Sequence, residues 1–294
     1  MTTNKEDTLT VAQNIYSVYY DTYQFPSWVL DPSLWNTFAF DKTVVYYDQE
    51  DNMEDVKLMV KQREPCNISM RRIYLANKLQ ELFGWKHGAY QNSTPDKLMP
   101  NIAIYCYATV ALSTGNRNVH VINLVGYAFD EMHQPDYIYF MARPLKHLVD
   151  KYKKVWRKAY YAALDLARQN KIRKIQIFNV GGGAFAGPFY KTFVETVFEP
   201  AFLPLLPFFE GAGIEVLGYD IQSKKFNGGF IPHLLETVED VEHTLYVNAW
   251  DPWSLIGNGN ERDRSLDGYW GRCSNMAVLG WSETNPFMYY RPLE

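Results

Sequence analysis

Two stretches of the chain hold residue types whose spacing could do chemistry. The first runs Ile175-Gln-Ile-Phe-Asn-Val-Gly181-Gly182-Gly183-Ala184-Phe185-Ala186-Gly187-Pro188-Phe189. An apolar, β-branched run ends in a turn made almost wholly of glycine and alanine, and Pro188 suits the first turn of a following helix. Small residues let the backbone approach a ligand and leave successive N–H groups bare, which is the chemistry of phosphate binding. No Gly-Lys-Ser/Thr follows, so this is not a P-loop. Nor is it the dinucleotide fingerprint with its downstream acidic residue. Phe185 within the turn is placed either to stack on a ring or sugar or to plug the core. A purely structural tight turn is the bland alternative.

The second stretch is Leu245-Tyr-Val-Asn248-Ala-Trp250-Asp251-Pro-Trp253-Ser-Leu-Ile-Gly257-Asn258-Gly259-Asn260, followed by Arg262-Asp263-Arg264-Ser265-Leu266-Asp267-Gly268. Three carboxylates, Asp251, Asp263 and Asp267, cluster around one glycine-rich loop. Cleavage of a glycosidic bond needs such groups. One carboxyl protonates the leaving group or activates water, and another stabilises an oxocarbenium-like centre. A single loop aspartate is ordinarily solvated or caps a helix, so the argument rests on their company.

The elements that must position these loops read as α/β. Residues 102–112 and 119–129 are near-continuous apolar runs, expected of strands covered on both faces, with a turn over 113–118. Residues 145–170 predict a long helix with Leu148, Tyr152, Val155, Ala159, Ala163 and Leu166 on one stripe. Short strands follow at 174–180, 214–219 and 245–249. Residues 188–209 are helical in part, interrupted by Pro200, Pro204 and Pro207. Alternation of strand and helix implies parallel pairing with helices on both faces. Residues 1–100 have a different texture. Acidic residues gather over 48–55, and residues 69–83 predict a short amphipathic helix ended by Gly84. The expected organisation is a mostly helical accessory segment, 1–100, and an α/β domain, 101–294.

Composition narrows the function. The 294 residues carry 29 basic and 33 acidic side chains, for a net charge of -4. No dense basic tract is present, so a nucleic-acid partner is not expected. No apolar run is long enough to span a bilayer, so no membrane partner is expected either. Cys66, Cys106 and Cys273 are widely spaced and odd in number, which suits a reducing compartment. No metal-ligand spacing is legible, and no cofactor is expected. His120, His147, His233 and His243 form no nucleophile–base pairing by spacing. With 22 Tyr, 17 Phe and 8 Trp, flat faces for stacking are abundant, although most belong to a core.

Taken together, the two loops resemble the macrodomain superfamily, which includes the poly(ADP-ribose) glycohydrolases. Val247-Asn-Ala-Trp-Asp251 is similar to its VNAAN-like motif. Gly257-Asn258-Gly259 is similar to the glycine loop that follows, and Leu266-Asp267-Gly268-Tyr-Trp270 to the start of the next helix. Val180-Gly-Gly-Gly-Ala-Phe185-Ala-Gly187-Pro188 resembles its phosphate-binding loop, and residues 119–126 the strand before the long helix. The resemblance covers about residues 119–285. Motif order is reversed, as in a circular permutation, and Asp251 stands where macrodomains usually have asparagine. Permuted order with this loop chemistry looks most like the MavL-type hydrolases, which remove ADP-ribose from arginine of ADP-ribosylated ubiquitin.

The resemblance implies a three-layer α/β/α fold with a mixed sheet. It implies Asp251 and Asp267 as catalytic carboxylates, with Asp263 as a third candidate. Gly182, Gly183, Ala184, Phe185, Ala186 and Gly187 would wrap the diphosphate and distal ribose, and Asn248 would meet a ribose. Trp250, Trp253, Gly257, Asn258 and Gly259 would shape the pocket. The implied partner is an ADP-ribosylated protein, with ubiquitin the candidate, met in the cytoplasm or, for a secreted effector, the host cytosol. A non-catalytic ADP-ribose or NAD-metabolite binder is the alternative. For the adenine, the sequence offers only Phe129 and Asp130.

Overall fold

β-branched and aromatic runs build the centre of the molecule. The computed structural model describes residues 43–54, 56, 101–112, 115–227, 240–249 and 289–294. Seven strands form one sheet: β1 (Val44–Asp48), β2 (Ala103–Leu112), β3 (Gly115–Leu124), β4 (Lys174–Gln176), β5 (Glu215–Leu217), β8 (Thr244–Ala249) and β9 (Tyr289–Leu293), in the order β5-β4-β8-β3-β2-β1-β9. Two short strands, β6 (Tyr219–Asp220) and β7 (Lys225–Phe226), pair separately.

The pairing is mixed. β4 is parallel to β5 and β8, β8 to β3, and β1 to β9, whereas β2 is antiparallel to both β1 and β3. Every strand of this sheet except β2 therefore points the same way. The parallel pairing expected from strand–helix alternation holds from β5 to β3, and the sheet becomes mixed, as the expected fold class has it, at β2. There Leu112 pairs with Gly115, leaving two residues between strands. So short a connection can only reverse the chain, since parallel neighbours need a crossover. The second strand accordingly starts at Gly115 and ends at Leu124, and residues 125–129 leave the sheet as a loop.

Helix α1 (Pro135–Met141) and the 24-residue α2 (Leu145–Arg168) connect β3 to β4. All six residues of the expected stripe, Leu148, Tyr152, Val155, Ala159, Ala163 and Leu166, are buried. After the glycine turn the chain breaks into a π-helical turn (Val194–Phe198), α3 (Glu199–Phe202), a 3-10 turn (Leu203–Leu205) and α4 (Leu206–Gly211). Pro200, Pro204 and Pro207 each open a new piece, as a residue without N–H and with a fixed φ must. Trp156 on α2 meets Phe198 and Phe202 edge-on at 5.5 and 4.9 Å, tying these pieces to it.

Residues 119–124 are buried without interruption, so this part of β3 is covered on both faces, as its apolar composition requires. Among the described residues no helix is long and apolar enough to cross a membrane.

β1 lies inside the stretch expected to be a helical accessory, yet it is an integral strand of this sheet. A boundary at residue 100 therefore does not separate the sheet from what precedes it. The expected helix over 69–83 lies outside the described residues. β1 is pinned to α2 by polar contacts. The Tyr46 hydroxyl donates to Asp165 at 2.9 Å. The fully buried Lys158 ammonium lies 3.5 Å from Asp48, and Lys154 approaches the same carboxylate at 3.7 Å. Burial holds Lys158 below the usual lysine range, at about 8, with Asp48 and Asp51 opposing that shift.

Removing one member of a buried pair strands the other. Asp48→Leu, which strands the fully buried Lys158 ammonium, should lower unfolding free energy by about 3 kcal/mol, and adding Lys158→Met should recover most of it. Urea denaturation of the single and double variants checks this. A lysine held low in the folded state opposes folding while charged, and that cost fades as pH rises from about 8 toward its unfolded value. Wild type should therefore gain stability on Lys158→Met between pH 8 and 10.

Candidate functional site

Because β3, β4 and β8 run parallel, their carboxyl ends open on one edge of the sheet. That edge is where open α/β sheets bind ligands. The loop after β3, residues 125–130, and the glycine turn after β4 meet there. β8 ends on the same edge, at Ala249.

The first loop is held by three successive amides, each bound to a different segment. Tyr127 N–H donates to the Tyr152 hydroxyl of α2 at 3.1 Å. Ala128 N–H donates to Asp136 of α1 at 2.9 Å. Phe129 N–H donates to the carbonyl of Phe185, in the glycine turn, at 2.8 Å. Asn101 also donates to Val125 O at 2.9 Å.

The glycine turn is locked from both ends. Gly181 has φ 78° and Gly187 has φ 51°, both in the left-handed region that glycine tolerates. A side-chain carbon on Gly181 would collide with the Tyr152 hydroxyl, and one on Gly187 with the Phe129 carbonyl. Between them, Ala184–Phe189 forms a 3-10 turn kinked at Gly187. The helix expected to start near Pro188 is thus displaced. Its first turn is taken by this 3-10 piece, and the chain re-enters helix only near Val194.

Within the turn, Gly182 and Ala186 are buried, while Gly183, Ala184 and Phe185 are exposed. The first internal bond is Ala186 N–H to Gly183 O at 3.0 Å. The N–H groups of Gly183, Ala184 and Phe185 therefore have no acceptor within the turn itself. Phe185 is 38% exposed, which favours the stacking alternative over the core plug. Ala186, wholly buried, does the plugging.

Asn248 sits in β8 directly opposite Asn123 in β3. Its amide donates to Asn123 Oδ1 at 2.8 Å, and Asn123 donates to the Ile104 carbonyl at 3.0 Å. Both asparagines are completely buried, and Asn248 Oδ1 has no hydrogen-bond partner among the described residues. A buried acceptor left bare costs about 1–3 kcal/mol. Asn123 was missed in the sequence. Its signal is an amide in an apolar strand, Val-Ile-Asn-Leu, matched by Tyr-Val-Asn-Ala in β8.

Other expected residues fall elsewhere. Phe129, a candidate for the adenine, is 1% exposed and packs edge-on against Phe140 and Phe189 at 5.8 and 5.2 Å. It is a core residue, and only its neighbour Asp130 is exposed. His120 is buried, with Nδ1 2.8 Å from the Tyr105 hydroxyl. His243 pairs with Asp240 at 2.9 Å, near the start of β8 and so at the opposite edge. Asp240 also binds Arg173, and these bonds hold its carboxyl at about 2. Cys106 is buried. Among the described residues no three His, Cys, Asp or Glu side chains gather as a metal site. Trp250, Asp251, Trp253, Gly257, Asn258, Gly259, Asp263 and Asp267 lie outside the described residues, as do His233, Cys66 and Cys273.

Compared with models of known protein families and with curated proteins, the chain matches none.

Backbone strain and collision both forbid a side chain at position 187. Gly187→Ala should destabilise the protein by at least roughly 1–3 kcal/mol. It should also break the Phe129–Phe185 bond, seen as faster amide exchange at Phe129 than in wild type.

Proposed function

We propose that the chain binds ADP-ribose in a macrodomain-like cleft with a permuted motif order, and that it hydrolyses this group from a modified protein side chain. One observation carries the reading. The turn after β4 offers the N–H groups of Gly183, Ala184 and Phe185 with an exposed phenyl ring, on the edge from which β8 leads into Asp251. Anion donors, a stacking face and a carboxylate-bearing stretch are the three things an ADP-ribosyl bond requires of a site. The mixed sheet with α2 against it suits the three-layer fold implied by the resemblance.

In this reading the diphosphate lies against the amides of the turn, and Phe185 stacks on the distal ribose. The bare acceptor of Asn248 takes a ribose hydroxyl. The anomeric carbon is then held beside Asp251 and Asp267, with Asp263 as the third carboxylate. One carboxylate draws a proton from water as its oxygen attacks that carbon. The other supports the oxocarbenium-like centre while the guanidine leaves with its electron pair and takes up the proton drawn from water, which restores the first carboxylate. Trp250, Trp253 and the Gly257-Asn258-Gly259 segment border the scissile bond. Placement and preorganised charge supply most of the acceleration. Arginine of ADP-ribosylated ubiquitin is the proposed substrate, which sets the activity in a cytosol, that of the host for a secreted effector.

The test is release of free ADP-ribose from arginine-ADP-ribosylated ubiquitin, followed by mass spectrometry. Wild type should release it, and Asp251→Ala should bind ADP-ribose without turnover. Binding without release by wild type makes the protein a reader, and neither binding nor release overturns the proposal. Separately, Phe185→Ala should weaken ADP-ribose binding about tenfold, within the 1–3 kcal/mol that stacking supplies. Its stability should change by no more than about 0.5 kcal/mol, because the ring is a surface group. Isothermal titration and thermal melts check the pair of expectations.

A further inference from the structure

At one point two loop backbones touch. A side-chain carbon on Gly126 would stand 2.7 Å from the Gly181 Cα and 2.9 Å from the Tyr152 hydroxyl. One on Gly181 would run into the same hydroxyl. The phenol oxygen of Tyr152 is thus wedged where the loop after β3 meets the glycine turn after β4.

This oxygen is bonded as well as packed. It accepts the Tyr127 N–H at 3.1 Å. The Tyr152 ring meets Tyr127 edge-on at 5.4 Å and Phe193, just past the glycine turn, at 5.3 Å. Tyr152 is 1% exposed, so the ring cannot shift without moving its neighbours. It rises from α2, a 24-residue helix packed on the sheet, which makes a rigid reference for both loops. Burial raises the phenol's pKa above the usual tyrosine value, so the group keeps its proton through the neutral range.

We propose that Tyr152 is the positioning residue of this site: its hydroxyl, carried on α2, sets how residues 125–130 pack on the turn at 181–187, and with it the fit of a pyrophosphate-linked ligand against that turn. The inference rests on the ADP-ribose reading for its ligand, but not for its effect on the loops. Removing the oxygen while keeping the ring would leave the buried Tyr127 N–H without an acceptor. It would also open a space between Gly126 and Gly181. Misplacement on the ångström scale is enough to spoil a bound geometry.

The experiment compares wild type with Tyr152→Phe in two measurements on the full chain. Hydrogen exchange without ligand reads peptides spanning 125–130 and 181–187, and isothermal titration reads ADP-ribose. Both loop peptides should exchange faster in the variant, while peptides of α2 stay close to wild type and the thermal midpoint falls by a few degrees, as one unpaired buried amide requires. The Kd for ADP-ribose should rise about tenfold. Loops that exchange as in wild type overturn the inference, whatever the ligand does. Looser loops with an unchanged Kd also overturn it, as does a lowered midpoint with loops and Kd unchanged, which marks a merely structural residue. Looser loops in a protein whose wild type binds no ADP-ribose uphold the positioning role and sink the ADP-ribose reading instead. Should Tyr152→Phe fail to fold, exchange of the Tyr127 amide in wild type decides: strong protection, as for a bonded buried amide, is expected, and exchange at the rate of an open loop overturns the inference.

Discussion

Parallel pairing of β4, β8 and β3 is the constraint from which the rest of the site follows. Strands that run the same way deliver their carboxyl ends to one edge, so the ends of three strands distant in sequence stand side by side. Had β8 run antiparallel to β3, Asn248 would open the opposite edge and the glycine turn would stand alone. On this shared edge two loops become one structure through backbone contact. Phe129 bonds to Phe185, and Gly126 meets Gly181 over the Tyr152 oxygen. Glycine is required at 181 and 187 by sign of φ and by space together, which is more than flexibility of a turn would ask.

The site edge also gathers polar groups that the sheet core must tolerate. Asn123 and Asn248 bury two amides and leave one acceptor bare. Lys158 is buried whole against Asp48. A fold under selection for stability alone would replace such groups with apolar ones of similar volume. The Lys158–Asp48 pair has a structural use, since it ties β1 to α2. The bare acceptor of Asn248 has none within the described residues, and a sugar hydroxyl is the partner that the proposed function supplies.

Long periodic elements were legible in the sequence because their signal is local. The stripe of α2 and the breaks at Pro200, Pro204 and Pro207 stand where periodicity and proline chemistry put them. The glycine turn was legible for the same reason, and so was the buried run of β3. Pairing was not. β1 is five residues long, lies beside acidic residues and finds its partner β2 only across more than fifty positions, so nothing nearby marks it as part of the sheet. Asn116, Arg117 and Asn118 read as a turn, yet they belong to β3 because the connection from β2 is only two residues. Asn123 and Asn248 are 125 positions apart. Only the register of β3 on β8 turns two isolated amides into a ladder. Phe129, offered for the adenine, closes the apolar run 119–129, and because the loop it belongs to is fastened on three sides its ring folds inward.

The central proposal is that the turn at 181–187, fastened to residues 125–130, grips a diphosphate. A crystal structure of the full chain grown with ADP-ribose tests it most directly. The account requires the diphosphate to lie against the N–H groups of Gly183, Ala184 and Phe185, with a ribose beside the Phe185 ring. A ligand bound on another face of the molecule, with these amides turned to solvent, would contradict it.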